Sequence, residues 1–474
     1  MALPVSPAAS GSCPVERLAL EPGVRPIDVA EAFRDLPGLS LLESARPGRN
    51  ARWSYLAADP LEVIDRPADG PDPFAGLRST VSRVAPGPVD VAEAPPFTGG
   101  LLGYLGYDLG RCLERLPSVA VEDQELPALR LGLHDWTIAF DRLTGAAWLG
   151  GRVVDGDRDR LGDRLSEVRQ RLRDLVPRRP RHRAPEPATE ITFRSGLDRG
   201  QYVDRVESVR DAIARGEVYQ ANLTRRLETP FDGDPWPLYR RLRTGDPALF
   251  AGYLDLGPAS RGGPRAIVSA SPEPFLAVSA AGVVSSDPIK GTRPRGQDRL
   301  DDRALARELL LSDKDRAENV MIVDVLRNDL GRVCIPGTVR VPRLCRLERT
   351  AAVQHLVSTV TGRLAPGRDP FDLFASAFPG GSITGAPKIR AMEILDRLEP
   401  VRRGPYTGAL GWIGPDGAMR TSILIRSFVA DGRRLSLHVG GGITWHSDPA
   451  AEWDETVAKA AGPLGAIGGH EVDR

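Results

Sequence analysis

Between residues 157 and 175 the apolar side chains recur at alternating four- and three-residue spacing, at Leu161, Leu165, Val168, Leu172 and Leu175. That pattern lays one apolar stripe along an otherwise charged segment and predicts an amphipathic helix. The stripe ends in a run rich in proline and arginine, residues 177–190, whose composition cannot pack a core and predicts a linker. Upstream, apolar runs alternate with turn residues in GGLLGYLGYDLG (99–110) and LHDWTIAFDRLTGAAWLGGRVV (133–154), which predicts antiparallel strands. Downstream, the strand-like ALGWIG, TSILIRSFVADG and LSLHVGGGITW accompany a long helical stretch over 300–330. Hairpin-like strand pairs separated by single helices predict an α+β protein rather than a strict βαβ alternation. A boundary near residue 185 then divides the chain into 1–176, the linker 177–190, and 191–467.

Composition narrows the function classes. The 474 residues, 41% of them hydrophobic, suffice for one large core or two to three smaller ones. Acidic and basic residues balance at 63 each, so no global field favours nucleic acid or an anionic membrane, and the arginines of the 177–190 run read as solvated. The first twenty residues lack a basic segment followed by an apolar one, and no stretch approaches the ~20 apolar residues of a membrane helix. Cys13, Cys112, Cys334 and Cys345 are scattered, which argues against a disulfide framework or a zinc site. A soluble cytoplasmic protein is the expectation. One imbalance remains: 59 of the 63 basic residues are arginine. The four lysines, Lys290, Lys314, Lys388 and Lys459, fall in glycine-rich or acidic segments, and none precedes residue 290. A lysine can lose its proton where arginine stays charged.

Asp315 and Glu318 share one face of a predicted helix, and Glu452, Glu455 and Lys459 share one face of another. Two such carboxylate pairs suit a hard divalent cation such as Mg²⁺, although acidic pairs at this spacing are more often solvated surface. Glycine clusters in HVGGGITW, in FPGGSITGAPKIRAMEIL and in SSDPIKGTRPRG permit close backbone approach to an anion. Neither a nucleotide-binding glycine motif nor a nucleophile elbow is present.

Taken together, VYQANLTRR, SASPEPF, DPIKGTRPRG, DRAENVMIVDVLRNDLGRV, HLVSTV, AFPGGSITGAPKIRAMEILDRLEP, MRTSILIRSF and GGGITWHSDPAAEWDET resemble the chorismate-utilising enzymes. The likeness runs from about residue 98 to 460, and within that family it is to aminodeoxychorismate synthase component I. The resemblance implies a four-layer α/β/β/α fold with two orthogonally packed antiparallel sheets and a cleft between them. It implies Mg²⁺ ligation by Glu318 and Glu455, with Asp315 and Glu452 acting through waters, the ion holding the ring carboxylate of chorismate. Arg426, Tyr406 and the backbone at Gly440 and Gly442 match the group that binds the enolpyruvyl carboxylate. Gly291, Thr292, Ser382 and Thr384 match other substrate contacts, Lys459 stands one turn from Glu455, and His355 matches a proton-transfer histidine.

Branches of the family differ at two positions. Anthranilate synthases usually carry alanine where this chain has Lys290, and isochorismate synthases a water-activating lysine where it has Gln220. The combination here implies covalent catalysis by a neutral Lys290, with Glu273 as acid for the departing hydroxyl. The implied product is 4-amino-4-deoxychorismate, a source of para-aminobenzoate for folate or an aromatic-amine natural product. The nitrogen would come from ammonia released from glutamine by a separate amidotransferase subunit. The alternatives are anthranilate synthase component I and a catalytically inert chorismate-binding regulator. Leu41–Ser44 (LLES) is similar to the tryptophan-feedback element of anthranilate synthases, but its usual partner string is not apparent in DPALFAGYLDL, so a structural pocket is favoured over effector binding, which stays open.

Overall fold

The computed structural model describes residues 13–48, 50–87, 93–175, 190–350 and 353–472, so the predicted linker lies, but for Glu190, outside the described residues. Among the described residues the strands form two sheets, of 13 and 10 strands. Nearly all ladder pairs are antiparallel; Gly469–Val472 beside Ile191–Ser195 is parallel. Both sheets mix strands from before and after the 177–190 run. Strand Ser40–Glu43 pairs with Phe250–Pro258 in the first sheet, and Gly100–Leu105 pairs with Ala409–Ile413 in the second.

Three apolar clusters explain the layering. In one, helices Pro26–Ala30, Arg158–Arg173, Pro235–Gly245 and Pro449–Ile467 press Ile27, Leu161, Leu165, Val168, Trp236 and Leu464 against the first sheet. In another, helices Asp313–Gly331 and Pro370–Ala377 bury Ile322, Leu326, Phe371 and Phe374 against the second. Between the sheets lie Tyr55, Leu254 and Ile267 from one and Leu102, Tyr104 and Trp412 from the other. Phe97 stacks on Trp412 at 5.0 Å with Tyr55 edge-on to both, contacts that contribute about 0.5–1.5 kcal/mol each beyond area burial. The order is helix, sheet, sheet, helix, as the resemblance implies.

Two predicted elements break where the chain must turn. The 300–330 stretch is two helices, Arg299–Leu311 and Asp313–Gly331, divided at Ser312, whose Oγ accepts from the Asp315 amide at 3.2 Å and caps the second. The run TSILIRSFV is two strands, Met419–Ile423 in the second sheet and Ser427–Asp431 in the first. Strand Pro264–Ser271 likewise belongs to the first sheet and Pro274–Val278 to the second. These strands are partners, 264–271 with 427–431 and 274–278 with 419–423. One two-stranded ribbon therefore passes from sheet to sheet, crossing at Pro272–Glu273 and Leu424–Arg426.

Candidate active site

The crossing positions two candidate residues. Ser271 Oγ donates to the Ile423 carbonyl at 2.5 Å, Ile423 N–H donates to the Glu273 carbonyl at 3.0 Å, and Ala270 N–H donates to the Arg426 carbonyl at 3.0 Å. Arg426 sits at φ +49°, the left-handed region costly for a residue with a Cβ, so its side chain leaves the ribbon at the seam between the sheets. Glu273 is 9% exposed, and burial, opposed by Lys290 and Ser382, pushes its carboxyl up to about 7.

Lys290 lies on strand Ile289–Pro294, where the register with Val353–Arg363 slips between Lys290 and Thr292. Gly291 is the extra residue, at φ +79°; a Cβ there would come within 2.9 Å of Asp315 Cβ. The Lys290 amine donates to the Ser382 carbonyl at 3.2 Å, and Ser382 Oγ donates to Glu273 at 3.1 Å. Ser382 thus bridges the lysine and the acid. Burial lowers the Lys290 pKa although Glu318 and Glu273 nearby favour its charged form.

The acidic pairs arrive on two capped helices. Asp448 caps Pro449–Ile467 by accepting from Ala451 N–H at 2.8 Å, and Pro449 fits the first turn. Glu452 is buried and accepts from Ser447 Oγ at 2.6 Å; burial, with Glu455 beside it, raises its pKa. Lys459 pairs with Glu455 at 2.7 Å and donates to the Gly440 carbonyl at 2.8 Å. Burial works against ionisation of Glu455, yet Lys459, Lys314 and Lys290 together hold its pKa below the usual carboxylate value. Opposite, burial raises Glu318 against the pull of Lys290 and Lys314, with Asp315 and Glu455 adding like-charge repulsion. Asp315 is tied to Arg293 at 3.1 Å.

Glu318 and Glu455 are therefore electrostatic neighbours from different helices, and both gain from a cation. Among the described residues no three His, Cys, Asp or Glu side chains converge to hold an ion unaided. The donor set fits Mg²⁺ in its usual form, one or two carboxylates completed by substrate oxygen and water.

The other candidates divide into accessible and structural. His355 Nδ1 lies 2.9 Å from Thr292 Oγ1, and burial, with Arg46 and Arg426 nearby, lowers its pKa to about 4, leaving a neutral imidazole. Gly440, Gly441 and Gly442 line strand Arg434–Ile443, where a Cβ would strike the Leu223 carbonyl, Glu452 and Gln220 respectively. Tyr406 is 5% exposed and stacks on His438 at 4.9 Å. Thr384 is fully buried and spends its hydroxyl on the Gly380 carbonyl at 2.9 Å, a structural use in this conformation. Of the remaining lysines, Lys388 pairs with buried Asp329 at 2.8 Å, a packing role, while Lys314 is exposed near the acidic pairs. Glu43 of LLES is consumed by Arg243 at 2.5 Å and Tyr239 at 3.0 Å.

Sequence reading missed Asp246 and Arg46, which join Arg426 at the seam. Arg426 approaches Asp246 at 3.7 Å, and Arg46 feels both charges. Neither carries a motif; one arginine among 59 does not stand out.

An amine pushed toward its neutral form beside a carboxyl balanced near neutrality is arranged for nucleophilic and acid–base chemistry, so the site is that of an enzyme. Residues 43–465 match the model of the chorismate binding enzyme family. Anthranilate synthase component 1 of Streptomyces coelicolor is 41% identical over 471 residues, covering 96% of this chain and 88% of that one. Aminodeoxychorismate synthase component 1 of Salmonella typhimurium is 42% identical over 364 residues, covering 77% and 76%. Among solved structures, anthranilate synthase component I from Streptococcus pneumoniae superposes with a TM-score of 0.76 at 28% identity, covering 88% of this chain and 93% of that one. The menaquinone-specific isochorismate synthase MenF from Escherichia coli shares the fold, with a TM-score of 0.73 at 17% identity over 97% and 95%. The chain belongs to the chorismate-binding enzyme family. Among the described residues no helix is long and apolar enough to cross a membrane.

Proposed function

We propose that the chain is the chorismate-aminating component of an aminodeoxychorismate synthase. The observation that carries this reading is Lys290: a crowded amine with a lowered pKa, joined through Ser382 to a carboxyl titrating at about 7. Direct replacement of the C4 hydroxyl by an amine on the same face is hard. The neutral Lys290 amine instead forms a bond to C2 while the ring double bond shifts and the C4–O bond breaks. Glu273 delivers its proton to the departing oxygen, which leaves as water. Ammonia then attacks C4, the C2–N bond breaks, and Lys290 is regenerated. His355, neutral at physiological pH, can accept a proton beside Thr292. Glu318 and Glu455 directly, and Asp315 and Glu452 through waters, would hold Mg²⁺, which would carry the ring carboxylate. Arg426 and Tyr406 would take the enolpyruvyl carboxylate.

Anthranilate synthase component I is the second reading, favoured by the Streptomyces coelicolor and Streptococcus pneumoniae relatives. Against it stands Lys290, where the resemblance gives anthranilate synthases alanine. The purified chain with chorismate, Mg²⁺ and ammonium is expected to yield aminodeoxychorismate by mass spectrometry; a fluorescent anthranilate product would establish the second reading instead. Glutamine is expected to replace ammonium only after a separate amidotransferase is added. Lys290→Ala should lower C4 amination by orders of magnitude, and Lys290→Arg should not restore it, since a guanidinium stays protonated. Wild-type aminodeoxychorismate synthesis by Lys290→Arg would reduce the lysine to a fixed charge.

A further inference from the structure

The segment after strand Ser40–Glu43 runs to the candidate site and is fastened at three points. Ala45 N–H donates to the Ala248 carbonyl at 3.0 Å, Arg420 donates to the Asn50 carbonyl at 3.1 Å, and Asn50 Nδ2 donates to Asp287 at 3.1 Å, three residues before Lys290. A Cβ at Gly48 would overlap Leu249, so the loop lies flat on the 246–249 turn. Arg46 is carried between these fastenings, beside Asp246, Arg426 and His355.

Among the described residues, Arg46 and Arg426 bring two positive groups beside one carboxylate, Asp246, and a neutral His355; Asp287 nearby already accepts from Asn50 and Thr359. Asp246 lies 3.7 Å from Arg426, beyond good hydrogen-bond length, and its buried Oδ2 has no partner. The buried Nε of Arg46 has no partner either. A guanidinium donor left unused at a buried position is costly, and the carboxylate of a planar monoanion would accept from it beside Arg426.

We infer that Arg46 is a substrate-binding residue, a second guanidinium that takes one oxygen of the carboxylate on the enolpyruvyl arm while Arg426 takes the other. The inference rests on the proposed function. It makes the segment that carries Arg46 part of the specificity of the site: a substrate lacking that second carboxylate leaves two neighbouring cations without their anion.

The test compares wild type, Arg46→Gln and Arg46→Lys in steady-state kinetics with chorismate. Chorismate binding to each is also followed by calorimetry with Mg²⁺ present and ammonium absent. Arg46→Gln is expected to raise KM and Kd together by about tenfold or more, with kcat within about twofold and an unchanged melting temperature. Arg46→Lys, keeping charge but not the planar fork, should fall between. Equal binding of chorismate by wild type and Arg46→Gln would overturn the role of Arg46 and leave the proposed function standing. A wild type that binds no chorismate would overturn both. If Arg46→Gln melts early, Arg46→Lys decides: a weakened Kd in a folded Arg46→Lys supports the role, and a wild-type Kd there ends it.

Discussion

At the scale of single residues the proposed mechanism rests on opposed protonation states of Glu273 and Lys290. Glu273 can donate while protonated, and burial places its pKa at about 7. As pH rises through that value the carboxylate replaces the acid, so turnover should decline on the alkaline side. Glu273→Gln, which neither donates a proton nor titrates, should lose most activity, and its residual rate should lack that alkaline decline. A pH–rate profile of the two proteins between pH 6 and 9 measures this, and an unchanged alkaline limb in Glu273→Gln would assign the titration elsewhere. Stability follows the same sign. A carboxyl raised above its ordinary value favours folding while protonated, and that contribution fades as pH rises through about 7. Lys290 stands out in the sequence because lysine is scarce there, and the acidic pairs share helix faces by their spacing, while the roles proposed for them come from the family resemblance. Arg46 and Asp246 do not stand out: their relation depends on a fold that brings residues 200 apart in the chain together, and no local pattern encodes it.

At the scale of elements, the bulge at Gly291 positions Lys290, the proposed nucleophile. Gly291 and Gly367 both adopt φ +79°, so an alanine at either should incur roughly 1–2 kcal/mol of left-handed backbone strain. They differ in surroundings: a Cβ at Gly367 meets nothing within 4 Å, whereas one at Gly291 meets Asp315 and Leu309 at 2.9 Å. Gly367→Ala should therefore melt somewhat earlier with normal kcat. Gly291→Ala should melt earlier still and lose activity, because relieving the overlap with Asp315 shifts Lys290 away from the helix that bears Glu318. Thermal melts and kcat of both variants decide, and equal activity would mean that the bulge does not position the lysine. The elements also show where pattern reading stops. The stripe over 161–175 gave its helix because amphipathic periodicity is a local property. The breaks at Ser312 and at Leu424–Arg426 escaped it, since the apolar run through TSILIRSFV is equally suited to one strand buried in one sheet or to two strands in different sheets.

At the scale of the whole molecule, the ribbon formed by 264–278 and 419–431 joins the sheets, and the candidate ligands are drawn from both. Lys290 and Glu318 belong to the second sheet and its helix, Glu455 and Gly440 to the first sheet and its helix, and Glu273 and Arg426 to the crossing itself. The α+β class was legible from strand and helix patterns, but the seam was not, because which strand enters which sheet is settled by long-range packing. A ligand that spans the seam binds only when both sheets are in place. Mg²⁺ with chorismate should therefore raise the melting temperature of the entire chain as one transition, rather than that of one half. Ligand at a hundredfold over its Kd contributes about 2.7 kcal/mol, enough to move the melt by a few degrees. Chelation of the metal, or Glu318→Gln, should remove most of that shift while leaving the unliganded melt nearly unchanged, since Glu318 is already strained by burial and like charge. Differential scanning calorimetry reads all of these. Two separated transitions with the ligand moving one of them would show that the sheets unfold independently and that the site belongs to a single sheet.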